Sequence, residues 1–224
     1  IQEIGAGLAA TAGRELDAAG SLVTESFANP HLHLDKVYTL ERLGSAALEA
    51  YHGETMGAAM SAIELAARVK EEYDTEWILP NVRRALRLAA RYGNTHIRAF
   101  ADVDTKAKLI GVEALIRALE EFRGVVDVQV VAFPQDGVVR DPGAADRVRR
   151  AMQLGADVVG GIPWIEYTEA DEQSHVYQMF EIAIDHDADI SMLVDDAGVP
   201  GLRSLEKLAV QAIEEDRIGR CLAH

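Results

Sequence analysis

The chain has 224 residues, enough for one large domain, and its 49% apolar and 26% charged residues are those of an ordinary globular protein. Its 37 Asp and Glu against 22 Lys and Arg give a formal charge of -15, which repels phosphate backbones and anionic lipid and argues against nucleic acid and membrane as partners. No apolar run reaches membrane-spanning length, the start Ile1-Gln2-Glu3-Ile4 lacks a basic-then-apolar leader, and the single Cys221 has no disulfide partner, so a cytoplasmic protein is expected, with Cys221 a small buried apolar residue.

In chain order, residues 1–8 and 14–23 read as short extended stretches broken by Gly5, Gly7, Gly13 and Gly20, so 1–26 is expected to be part of a small β-domain. From Phe27 the pattern changes to short Val- and Ile-rich runs alternating with amphipathic helices, the grammar of βα units on a parallel sheet, and 27–224 is expected to form one such unit. A strand at 31–34 is followed by a helix over 56–73, where Met60, Ile63 and Ala67 share a face, and another over 80–92 with Pro80 near its first turn. Strands at 96–103, 126–133, 157–162, 190–194 and 221–224 then alternate with helices at 111–122, 144–154, 172–185 and 204–215. An open doubly wound sheet and a closed eightfold barrel share this alternation. The chain lacks an initiator Met and stops inside the last strand, so it is expected to be a piece of a longer protein.

The sharpest local signal is Asn29-Pro30-His31-Leu32-His33-Leu34-Asp35-Lys36. Side chains two apart on a strand share a face, which aligns His31, His33 and Asp35, and two neutral imidazoles on one face can clasp a divalent ion. Two ligands fall short of the usual three or four, and a bonded pair of core histidines has the same spacing. On the second strand the inward set is His96, Arg98, Phe100 and Asp102, with an internal ion pair expected between Arg98 and Asp102 or Asp104. His52, His175 and His186 sit in or beside helices with charged neighbours and are expected to face solvent.

Further along come Thr95-His96-Ile97-Arg98-Ala99-Phe100-Ala101-Asp102, then Val131-Ala132-Phe133-Pro134-Gln135, then Gly155-Ala156-Asp157-Val158-Val159-Gly160-Gly161. With these motifs in this order, the chain from about Asp17 to His224 resembles the cytosine deaminase and N-alkylammelide amidohydrolase branch of the amidohydrolase superfamily. The resemblance implies an α/β fold, a (β/α)8 TIM-barrel-type metal-dependent hydrolase of which about six βα units are present, with 27–224 as the partial catalytic barrel. It also implies one divalent ion (zinc or iron, with manganese as an alternative) bound by His31 and His33, a catalytic His224 beside the metal-bound water, and a ring contact from Gln135. A lysine-bridged second metal is not expected, because no lysine lies in 157–162.

Three departures from the family stand out. Leu193 occupies the place of a third metal-binding histidine; Asp195, two residues on, is then the candidate oxygen ligand, and Asp196 aligns with the family's proton-shuttling glutamate. Asp-Asp before Ala-Gly equally reads as a strand end or a helix cap. Phe100 and Trp164 replace histidines of the family's pocket and are candidate contacts to a flat or apolar substrate portion. The expected activity is hydrolysis of a C–N bond in a cyclic amidine, pyrimidine or triazine-like small molecule. The alternatives are a catalytically impaired, metal-free barrel that binds a small ligand, and a truncated gene product whose strand edges pair with another copy as a homo-oligomer.

Overall fold

The computed structural model describes residues 3–8, 13–43, 68–197 and 199–224. Six strands form one parallel sheet in sequence order: β1 (Phe27–His33), β2 (Asn94–Asp102), β3 (Asp127–Phe133), β4 (Val158–Gly161), β5 (Asp189–Met192) and β6 (Cys221–Ala223). The connections carry a single turn, α1 (Leu40–Leu43), and the helices α2 (Thr75–Arg91), α3 (Ile110–Phe122), α4 (Ala144–Leu154), α5 (Glu169–Asp185) and α6 (Ser204–Glu214). The expected helix over 56–73 lies mostly outside the described residues, of which 68–70 are helical, and His52 lies outside them as well. No helix among the described residues is long and apolar enough to cross a membrane.

Strand alternation sorts the core into two parts. One set of strand side chains, including Ile97, Ala99, Val130, Ala132, Val159, Ile190 and Met192, packs against helix residues such as Leu79, Val82, Leu115, Val148, Met179 and Leu208. The other set, Phe100, Val131, Phe133, Val158, Ile162 and Leu193 with Ile165 and Trp164, forms a second apolar cluster on the inner face. Two filled faces explain why these strands lack polar alternation.

The sheet curls into a half-barrel. In a flat sheet, β1 and β6 would stand about 24 Å apart across five inter-strand spacings. The ring of His31 on β1 nevertheless lies 4.6 Å, centroid to centroid, from that of His224, which follows β6. Inner-face side chains from opposite edges therefore meet across the concave interior, as barrel geometry requires.

Several element ends differ from expectation for local reasons. Helix α2 begins at Thr75 rather than at Pro80, because Asp74 caps it by accepting from the Glu76 amide at 3.0 Å. Thr168 likewise starts α5 at Glu169, three residues early. Strand β1 begins at Phe27, but its ladder to β2 is irregular between Asn29 and Leu32, where Pro30 has no N–H to give. Among the described residues before Phe27 there is no strand: 14–18 and 21–26 are exposed coil on either side of an Ala19-Gly20 turn, and a strand without a paired neighbour leaves its backbone groups to water.

Gly160 is the tightest point of the inner face: a Cβ there would meet the Ala132 carbonyl oxygen at 2.7 Å and the Phe133 Cα at 3.0 Å. Gly160→Ala should destabilise the fold by about 1–3 kcal/mol through forced separation of β3 and β4, read as a lower urea midpoint at unchanged m-value.

Candidate active site

The carboxyl ends of β1, β2, β3, β5 and β6 converge on a cluster of rings. The Nε2 atoms of His31 and His33 lie 3.2 Å apart. Two imidazole nitrogens sharing one tetrahedral zinc ion at its ordinary bond length stand about 3.3 Å apart, so the spacing fits a shared divalent ion. Phe100 stacks on His31 at 4.5 Å and 22°, and Phe133 meets the His33 ring edge-on at 5.5 Å. His224 meets His31 edge-on, and its Nε2 is 2.9 Å from Ser191 Oγ. Burial lowers the pKa of all three histidines, His33 well below its ordinary value and His224 to about 4. Neutral rings are the form that binds metal.

Beside the rings lies a buried charge network that sequence reasoning missed. The chain turns after His33 into a 3-10 turn, Leu34–Lys36, which carries Asp35 into the interior, where its Oδ2 accepts from Tyr73 OH at 3.1 Å and the Asp102 amide at 3.0 Å. Lys36 Nζ sits 2.8 Å from Asp102 Oδ1 and donates to Gln135 Oε1 at 3.1 Å. Lys70, only 2% exposed, reaches Asp102 Oδ2 at 3.2 Å, Asp136 Oδ1 at 2.8 Å and the carboxylate of Asp104. Burial opposes the charge of Asp102, but Lys36 and Lys70 hold its carboxyl below the usual range, while burial and then Asp102 push Asp35 up. His33, Asp35 and Asp102 could together hold a metal ion by proximity, yet the two ammonium groups already neutralise Asp102. Lys70 was legible in principle, since it continues the spacing of Ile63 and Ala67 on the face assigned to the core.

The expected pair between Arg98 and Asp102 or Asp104 does not form. Four residues along a strand is about 13 Å, and Arg98 instead donates from Nε and Nη2 to Gln129 Oε1 at 3.1 and 2.8 Å. His175 is fully buried, not solvent-facing: it lies on the stripe shared with Val176, Met179 and Phe180, and its Nδ1 is 2.8 Å from Glu166 Oε1. His186 is exposed as expected, and Cys221 is half-buried against the outer core.

The remaining candidate residues occupy distinct places. Regular pairing in β5 ends at Met192, and Asp195 adopts φ +54° with its carboxylate turned to the start of α6. There Oδ1 accepts from Ser204 N at 2.8 Å and Ser204 Oγ at 2.6 Å, and Oδ2 accepts from Leu205 N at 3.3 Å. This is the capping alternative, with both oxygens engaged away from the histidines. Asp196 lies close enough to His31 for its charge to counter the effect of burial on that ring, and burial raises its own carboxyl. The indole Nε1 of Trp164 is within reach of Asp196 and has no well-formed partner. Leu193 is buried in the inner cluster and offers no donor. Phe100 is completely buried beneath the histidines, so it contacts their rings and not the mouth. A cavity of about 600 Å³ opens at the amino-terminal end of the strands among Asn29, Arg98, Gln129 and Arg220, away from this cluster.

Paired imidazoles at the carboxyl edge of a curled parallel sheet, with helices on its outer face, make half of a (β/α) barrel whose polar cluster lies at the end where such barrels carry their sites. Comparison with known proteins agrees. The chain is 32% identical over 222 residues to N-isopropylammelide isopropyl amidohydrolase of Pseudomonas sp. (strain ADP), covering 98% of this chain and 53% of that protein. A crystal structure of 5-methylcytosine deaminase from Klebsiella pneumoniae with 5-fluorocytosine superposes with a TM-score of 0.78 at 27% identity, over 88% of this chain and 46% of that one. N-isopropylammelide isopropylaminohydrolase from Burkholderia multivorans gives 0.62 at 26% identity, over 88% and 47%. No family model matches. The chain is homologous to proteins named N-isopropylammelide amidohydrolase and 5-methylcytosine deaminase, and it spans about half the length of the curated relatives it matches.

Two outcomes follow from the electrostatics. Lys70→Met leaves Asp102, Asp104 and Asp136 facing one another without their shared cation, and should cost about 3–5 kcal/mol in denaturant unfolding. Without metal, each lowered histidine takes up its proton later in the folded than in the unfolded chain. The stability they contribute is therefore complete above the ordinary value of 6.5 and is lost as pH falls through about 4, where folded His224 charges. Unfolding midpoints measured from pH 7.5 to 4 should fall, and His224→Gln should flatten the slope.

Proposed function

We propose that this chain carries the metal-binding half of a hydrolase that cleaves a C–N bond in a cyclic amidine, pyrimidine or triazine-like small molecule. The observation that carries the reading is the 3.2 Å approach of two neutral imidazole nitrogens at the carboxyl end of the barrel strands. His31 and His33 hold a divalent ion, which when bound supplies Lewis acidity and a lowered water pKa. Burial raises the Asp196 carboxyl, so it is suited to taking a proton from water and delivering it to a departing nitrogen. His224, neutral and fixed by Ser191, offers a ring nitrogen beside His31 to orient the attacking water. Gln135 presents an amide from the β3 loop, with its oxygen held by Lys36. Trp164 supplies an apolar wall beside Asp196. The partner is a small molecule, as for the named relatives.

One observation favours a second reading, a metal-free binding protein: Leu193 fills the place of a third imidazole, leaving only two matched nitrogens. Zinc titration of the purified chain separates the two. The hydrolase reading expects about one equivalent of zinc, lost in His33→Ala and retained in Asp195→Asn, and release of ammonia or amine from cytosine or N-isopropylammelide. Zinc binding that appears only in Leu193→His would establish the metal-free reading instead.

A further inference from the structure

Outside the ring cluster, a second buried assembly joins two loops. Glu166, at the end of the 3-10 turn Pro163–Ile165, has a fully buried side chain inserted under the loop that follows β3. Its Oε1 accepts from the amides of Val138 and Val139, the latter at 3.1 Å, and its Oε2 accepts from the Arg140 amide at 3.0 Å. Gly137, at φ +95°, makes room: a Cβ there would stand 3.0 Å from both carboxylate oxygens. Arg140 returns a bond from Nη1 to the Ile165 carbonyl at 2.7 Å.

His175 on α5 fixes the arrangement from behind. Its Nε2 accepts from the Ile162 amide at 3.1 Å and so carries no proton, which leaves the proton on Nδ1 to be donated to Glu166. Gly161 permits this approach, because a Cβ there would lie 3.1 Å from that Nε2. Burial opposes the charge on Glu166, yet His175 and the loop amides hold its carboxyl below the usual range.

The two loops joined in this way carry Gln135 and Trp164. We propose that Glu166 and His175 form a clamp that sets these two residues at a fixed separation for the substrate ring, acting as positioning residues with no part in metal binding. The proposal rests on the functional reading above, in which Gln135 and Trp164 face the ring. Neither clamp residue bonds to His31, His33 or His224, so its loss should be felt by the ring and not by the ion.

The test uses the full chain loaded with zinc, in unmodified, H175F, H175N and E166Q forms. Amide exchange at 138–140, zinc affinity and 5-fluorocytosine affinity are measured for each. H175F should speed exchange and weaken 5-fluorocytosine by about tenfold, the worth of one buried hydrogen bond, at unchanged zinc affinity. H175N, which keeps an amide donor near the Nδ1 position, should restore most of both, and E166Q supplies the same comparison should H175F not fold. Zinc affinity falling in step with ring affinity, or ring affinity untouched by faster exchange, overturns the proposal. If the unmodified protein takes zinc and binds neither 5-fluorocytosine nor N-isopropylammelide, the functional reading fails on its own. Trp164 emission in a W77F background then decides the clamp: a shift in H175F supports it, and an unchanged spectrum overturns it.

Discussion

Curvature of the sheet is the constraint on which the site depends. His31 and His224 belong to opposite edges of a six-stranded sheet, and only its closure toward a barrel brings their rings to 4.6 Å. Close approach at Gly160 lets β4 seat against β3, and the inner apolar cluster fills the concavity beneath the rings. The same burial that makes this floor removes water from the imidazoles and keeps them neutral. Shape and protonation state therefore have one cause.

The site divides its charges by place. Imidazoles rest on phenyl rings, whereas carboxylates and ammonium groups gather to one side, around Asp102. Lys36 links the two regions, since it follows the histidine strand in sequence and reaches both Asp102 and Gln135. The ends of β1, β2 and β3 are thus joined by a network of paired opposite charges.

How much of this could be read from the sequence depended on the range of the interaction. Most helices were legible because one-sided burial imposes a period on them, the six strands because burial on both faces leaves short apolar runs between those helices, and the His-x-His spacing places both rings on one face. Capping choices moved helix starts, as at Asp74, where a short side chain satisfying a free amide outweighs the Pro80 signal, and at Thr168. Asp195 shows the same competition: strand period and cap chemistry both fit its position, and the turn after Met192 gives its carboxylate to Ser204. The burial of Lys70 was legible from its helix spacing, but its pairing with Asp102 was not, since the two are brought together only by the fold. His175 was legible but misread, because charged neighbours in sequence were weighed above its place on an apolar stripe.

The stack of Phe100 on His31 has an entropic consequence. An imidazole on an open strand samples several side-chain torsions and must surrender them when it captures a ligand, whereas His31 lies between a phenyl face and the edge of His224. Its torsional freedom is already lost when the chain folds. A cation arriving at these nitrogens would meet an orientation settled in advance, so the phenylalanine contributes to capture without touching what is captured.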